Sequence, residues 1–139
     1  MNIPVKNRAR VLVVEDDPDI VDYLSSFLED EGFEVRSATR CSTARGLMED
    51  FQPEVILIDA LLPGKSGLEL LVCLRSDPKW SDLPMVVVTG NDQLLEDDCQ
   101  SYLGAHEGVR GPDRVLGKPV DRATLLEVLH KLLEKPANA

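Results

Sequence analysis

The sequence predicts an α/β domain built on a doubly wound, five-stranded parallel sheet of order 2-1-3-4-5 with helices on both faces. Three observations carry that expectation. Val11-Leu12-Val13-Val14, Val55-Ile56-Leu57-Ile58 and Met85-Val86-Val87-Val88 are unbroken apolar runs, mostly β-branched, and strands covered on both faces have this composition. Amphipathic helical stretches lie between strand segments, which implies right-handed crossovers and a parallel sheet. Two weaker strand segments, Phe33-Glu34-Val35-Arg36 and Val115-Leu116, suit the edges, so the three apolar runs take the middle.

Taken in order, the first strand runs into Glu15-Asp16-Asp17. A helix follows with Asp17 as its cap, Pro18 at its first position and Gly32 just past its end. Ile20, Tyr23, Leu24, Phe27 and Leu28 mark its apolar face. After the weak second strand, Ser42 to Asp50 reads as a helix weakened by Gly46. The third strand ends in Asp59, and beyond Gly67 the residues Leu68, Leu71, Val72 and Arg75 open another helical face. The fourth strand ends in Thr89-Gly90. A helix is expected over about Gln93 to Leu103, then a Gly-rich connection through Gly104, Gly108 and Gly111-Pro112. The short fifth strand precedes Lys118-Pro119. Asp121 can cap a last helix whose face is Leu125, Leu126, Leu129, Leu132 and Leu133.

At 139 residues, with 43% hydrophobic and 29% charged side chains, the chain has the size and composition of one globular domain. Fifteen basic residues against 25 acidic ones give a net charge of −10. That balance opposes a direct nucleic-acid surface, which needs clustered Lys and Arg, and opposes docking on an anionic membrane. No apolar run reaches the length of a membrane span, and Met1 to Arg10 lacks the apolar centre of a signal peptide. Cys41, Cys73 and Cys99 are an odd count without metal-ligand spacing, so reduced, buried thiols in a cytoplasmic protein are expected.

In a doubly wound sheet, ligands sit at the carboxyl ends of the strands beside the reversal of winding. Those ends supply Glu15, Asp16 and Asp17, then Asp59, Thr89 and Lys118. Carboxylates crowded together either take up a proton or hold a cation between them. Oxygen ligands without His or Cys suit a hard ion, Mg²⁺ or Mn²⁺ as its substitute. Such a site, with an aspartate nucleophile, a hydroxyl and an ammonium around it, has the parts for phosphoryl transfer to a carboxylate.

On these residues the chain resembles a response regulator receiver domain, the phosphoacceptor module of two-component signalling, over about Arg10 to Lys135. The strongest stretches are Val11 to Pro18 and Asp59-Ala60-Leu61-Leu62-Pro63-Gly64-Lys65-Ser66-Gly67. The strand order is the one known for a chemotaxis receiver with a flavodoxin-like fold. The resemblance implies that Asp59 becomes the aspartyl phosphate. It implies Mg²⁺ on the side chains of Asp16 and Asp59 and the backbone carbonyl of Leu61, with Glu15 assisting through a metal-bound water. Thr89 would hydrogen-bond a phosphoryl oxygen, Lys118 would pair with the phosphoryl group, and Lys118-Pro119 would be a cis bond.

It also implies partners: a histidine kinase or histidine phosphotransfer protein as donor, and a downstream protein target or the next member of a relay. A stand-alone receiver of residues 1–139, or equally a receiver domain excised from a longer protein, is expected, with no turnover of an external substrate, and the last helix offers a possible homodimer face. The chain departs from the family between Thr89 and Lys118, where extra residues are expected as an extended segment at about 104–112. Val115 stands where an aromatic switch residue is common, and Gly117 precedes the lysine.

Other readings fit less well. An aspartyl-phosphate phosphatase of the haloacid-dehalogenase type needs a second Asp two positions after the nucleophile, where this chain has Leu61. A phosphorylation-independent interaction module would not require the full set of acidic and basic pocket residues. Gly64-Lys65-Ser66 imitates the end of a P-loop, but Asp59 stands where that motif needs glycine. His106 and His130 read as solvated residues without metal or acid–base partners.

Overall fold

The three apolar runs become the three central strands, and side-chain alternation explains their composition. The computed structural model describes residues 8–60, 67–90 and 111–133. Among them are β1 (Arg10–Val14), α1 (Pro18–Asp30), β2 (Glu34–Ala38), α2 (Cys41–Phe51), β3 (Val55–Asp59), α3 (Gly67–Arg75), β4 (Met85–Thr89), β5 (Arg114–Gly117) and α4 (Arg122–Leu133). All neighbouring strands pair in parallel, and the sheet order is β2-β1-β3-β4-β5, as expected.

Alternate residues of one strand feed opposite layers. Leu12, Val14, Ile56, Ile58, Met85 and Val87 pack with α2 and α3, including Met48, Phe51, Leu70, Leu71 and Leu74. Val11, Val13, Val55, Leu57, Val86 and Val88 pack with α1 and α4, including Leu24, Phe27, Leu28, Leu125 and Leu129. A polar residue on either face of β1, β3 or β4 would sit in one of these cores, and every residue from Val55 to Asp59 and from Met85 to Thr89 is buried. The edge strands β2 and β5 are only partly covered.

Helix termini follow the local chemistry. Asp17 caps α1, its Oδ1 accepting the Asp19 N–H at 2.9 Å, and Pro18 occupies the first helical position. Beyond the other end Gly32 takes φ 95°, the left-handed region in which glycine is least strained. At the start of α4, Asp121 Oδ2 accepts the Thr124 N–H at 3.0 Å and its hydroxyl at 2.9 Å. Both hydrogen bonds hold the Asp121 carboxyl below its usual range.

Several boundaries and faces differ from the sequence reading. The second strand runs over Glu34–Ala38, and Phe33 precedes it as a buried side chain of the α1–α4 layer. The second helix is one residue longer at each end than expected. Tyr23 shares the helical spacing of the α1 core residues, yet it is 39% exposed and stacks under the Arg122 guanidinium. On α3 the buried face is Leu70, Leu71, Leu74 and Arg75, with Val72 only half-buried. Cys41 is a buried thiol and Cys73 a half-buried one. The expected helix over Gln93 to Leu103, most of the 104–112 segment, Leu61, Cys99, His106 and the Leu68 side chain lie outside the described residues.

Candidate functional site

The carboxyl ends of β1 and β3 lie side by side at the reversal of winding, and both end in acid. Three consecutive carboxylates follow β1, and each has a different environment. Glu15 turns inward and is 3% exposed, Asp16 is exposed, and Asp17 caps α1. The Glu15 backbone N–H donates to the Ala38 carbonyl at 3.0 Å, which fixes this turn against the end of β2. Its Oε2 accepts the backbone N–H groups of Asp16 at 3.0 Å and Asp17 at 3.2 Å. One carboxylate thereby orders the whole acidic turn.

Asp59 closes β3 and is buried. Gly67, the first residue of α3, donates its N–H to the Ala60 carbonyl at 2.9 Å and packs directly over the Asp59 backbone. Thr89, the last residue of β4, is also buried; Asp59 pairs with Val88 in the ladder, and Thr89 with Gly117. The Lys118 N–H donates to the Thr89 carbonyl at 2.6 Å, so the lysine backbone is tied to the strand beside it. The Lys118–Pro119 peptide is cis, as the resemblance implied.

The Lys118 ammonium lies 2.9 Å from Glu15 Oε1 and 3.4 Å from Asp59 Oδ2. Burial alone would lower the lysine pKa. The hydrogen bond to Glu15 and the charges of Asp59 and Glu15 outweigh that effect, and the pKa rises above its ordinary 10.5. The ammonium is thus held firmly in its charged form between two carboxylates.

Glu15, Asp16 and Asp59 each offer a carboxylate oxygen, and these three atoms lie within 4.8 Å of one another. Among the described residues three carboxylates face one ammonium, so negative charge remains after Lys118 is counted. The donors are all oxygen, and their spacing lets a single hard cation touch them. The residues present fit Mg²⁺. Leu61, expected to supply a backbone carbonyl, lies outside the described residues.

The structure therefore brings Glu15, Asp16, Asp59 and Lys118 together, with Thr89 on the adjoining strand end. Over residues 11–130 the chain also matches the family described as the response regulator receiver domain. The chain belongs to that family. It is 32% identical over 125 residues to Protein PilH of Pseudomonas aeruginosa, covering 90% of this chain and 98% of PilH. It is 31% identical over 126 residues to the DNA-binding dual master transcriptional regulator RpaA of Synechocystis, covering 91% of this chain but only 49% of RpaA. Among solved structures, a response regulator receiver domain protein (CheY-like) from Methanospirillum hungatei superposes with a TM-score of 0.77 at 30% identity, covering 91% of this chain and 94% of that one.

Receiver domains act in two-component signalling, generally bind Mg²⁺ at an acidic pocket, and interact with histidine kinases and downstream targets. Among the described residues of this receiver no helix is long and apolar enough to cross a membrane. Sequence reasoning missed two features of it. The first is the ion pair between Glu15 and Lys118. The second is what surrounds Arg75: helical spacing put it on an apolar face but did not give the oxygens that receive its guanidinium.

Proposed function

We propose that this receiver accepts a phosphoryl group on Asp59 from the phosphohistidine of a histidine kinase or histidine phosphotransfer protein. The observation that carries the reading is the setting of the Asp59 carboxylate, which lies beside a Mg²⁺-compatible set of oxygens and 3.4 Å from the Lys118 ammonium. An Asp59 oxygen forms the new bond to phosphorus as the P–N bond of the donor breaks, and the imidazole leaves with the bond's electrons. Glu15, Asp16 and Asp59 are the side chains that would hold Mg²⁺, or Mn²⁺ in its place. When bound, the metal supplies positive charge to the transferring phosphoryl oxygens.

The chain's own residues do the rest. Glu15 orders the acidic turn through two backbone N–H groups. Lys118 supplies a fixed positive charge, and phosphorylation gives its ammonium a new anionic partner in place of the bare Asp59 carboxylate. Thr89 is a hydroxyl at the adjoining strand end for a phosphoryl oxygen. That exchange of partners is the signal, passed to a downstream protein contact or, in a relay, onward with the phosphoryl group. Self-phosphorylation and loss of phosphate are the whole of the chemistry, without turnover of an external substrate, and the cytoplasm is the compartment that fits it.

Acetyl phosphate with Mg²⁺ should add one phosphoryl group, seen by intact mass and lost in acid or base. Asp59→Asn should remove it, and chelation of the metal should suppress it. A wild-type chain that stays unmodified beside a phosphorylated control receiver, or an Asp59→Asn chain modified equally, overturns the reading.

A further inference from the structure

β5 delivers Lys118 but carries little of its own to fix where it lies. Arg114 is exposed, Val115 and Leu116 are half-buried, and Gly117 has no side chain. A slip of one residue against β4 would move each position by about 3.3 Å and turn each side chain to the other face. The contacts of Lys118 with Glu15 at 2.9 Å and Asp59 at 3.4 Å would not survive it. Val115 and Leu116 pack against opposite cores but only as half-buried side chains, so the register also needs an anchor outside them.

That anchor is at the far end of the strand. Arg75, at the end of α3, has a side chain 1% exposed. Its Nη1 donates to the carbonyls of Ser81 at 3.0 Å and Leu83 at 2.6 Å. Its Nη2 donates to the Gly111 carbonyl at 3.2 Å and to Asp113 Oδ2 at 2.9 Å. That same carboxylate oxygen accepts the Met85 N–H at 2.8 Å, and the Asp113 N–H donates to the Met85 carbonyl at 2.8 Å. One planar guanidinium thus joins the segment leading into β4 to the segment leading into β5, a geometry that arginine's rigid fork suits and lysine's single ammonium does not. Asp113 then locks to the first residue of β4.

We infer that Arg75, acting with Asp113, is a positioning residue for Lys118. It sets the β4–β5 register from about 16 Å away along the strand, and so places the ammonium against Glu15 and Asp59. Its consequence for phosphorylation rests on the reading of Asp59 as phosphoacceptor; its consequence for the Lys118 ion pairs does not.

Two readouts test this in Arg75→Met, Arg75→Lys and Asp113→Ala. The first is the side-chain ¹⁵N resonance of Lys118, identified by its absence from Lys118→Ala. The second is the rate of phosphorylation by acetyl phosphate with Mg²⁺. In folded variants the ammonium signal should shift toward that of solvated lysines. Phosphorylation should slow by about tenfold or more, since a misplacement near 1 Å can cost about a hundredfold. Combining Arg75→Met with Lys118→Ala should be no slower than Lys118→Ala alone, because both act through one group. An unshifted Lys118 signal in the folded variants, or losses that simply add, overturns the inference. Should Arg75→Met fail to fold, Arg75→Lys and Asp113→Ala carry the same comparison. If the wild type takes no phosphoryl group, the phosphoacceptor reading falls alone, and the Lys118 resonance still decides the role of Arg75.

Discussion

An added Cβ at Gly67 would stand 1.9 Å from the Asp59 carbonyl oxygen and 2.8 Å from Ile58 Cγ2. The first obstacle is backbone, which cannot swing aside as the end of a long side chain can. Gly67 is therefore required by the close approach of α3 to the strand end that carries Asp59. Gly67→Ala should destabilise the fold by at least about 1–3 kcal/mol, the usual cost of overpacking, as measured by urea unfolding. The backbone that must give way belongs to Asp59, so phosphorylation should fall in the population that remains folded. Glu15 makes a related point about single residues. Its neighbours Asp16 and Asp17 have the same charge and nearly the same length, yet only Glu15 is buried and paired with Lys118. Three consecutive acids at a strand end do not declare which one turns inward. The convergence of acids and lysine was legible in sequence because strand order places the strand ends together; the pairing within the cluster depends on side-chain direction, which spacing alone does not give.

Elements follow the same division. β1, β3 and β4 were legible because both faces are buried, so Val11–Val14, Val55–Ile58 and Met85–Val88 had to be apolar, leaving polar residues to the strand ends. β2 starts one residue and ends two residues later than its sequence pattern suggests, because among the described residues its outer edge has no partner strand and its sequence tolerates Arg36 and Ser37 exposed, leaving the boundary to the helix before it. Helical spacing put Tyr23 and Arg75 on apolar faces, and their outcomes are opposite. Tyr23 stays at the rim, where its ring packs and its hydroxyl lies 3.5 Å from the Val120 carbonyl. Arg75 goes fully inside because four oxygens await it. Gly46 is a third case. It weakened the sequence argument for α2, yet the helix runs from Cys41 to Phe51 through it, and nothing lies within 4 Å of where its Cβ would be. Packing of Ala44, Met48 and Phe51 overrides local propensity there. Gly46→Ala should therefore stabilise the protein by about 0.5–1 kcal/mol through the unfolded chain, the opposite sign to Gly67→Ala. A denaturant midpoint that falls instead would mean that α2 needs glycine at this position for a reason other than space.

For the molecule as a whole, the acidic pocket is a local excess on a chain already at −10, and that excess sets how stability responds to metal. Without a divalent ion, Asp16 adds negative charge beside Glu15 and Asp59, and Lys118 offsets only part of it. Asp16→Asn should then match or exceed the wild type in stability, by about 1 kcal/mol or less for so exposed a charge. With Mg²⁺ the order should reverse. A ligand at ten times its dissociation constant stabilises the folded state by about 1.4 kcal/mol, which for a domain of this size raises the melting temperature by about 5 °C. Asp16→Asn and Asp59→Asn, each short of one oxygen anion, should lose most of that rise. Because any salt relieves self-repulsion in an acidic protein, the comparison belongs at matched ionic strength, with Na⁺ in place of Mg²⁺ as the reference. A wild-type melting temperature that responds to Mg²⁺ no more than to Na⁺ would show that the three carboxylates do not act together on one ion, whatever their spacing.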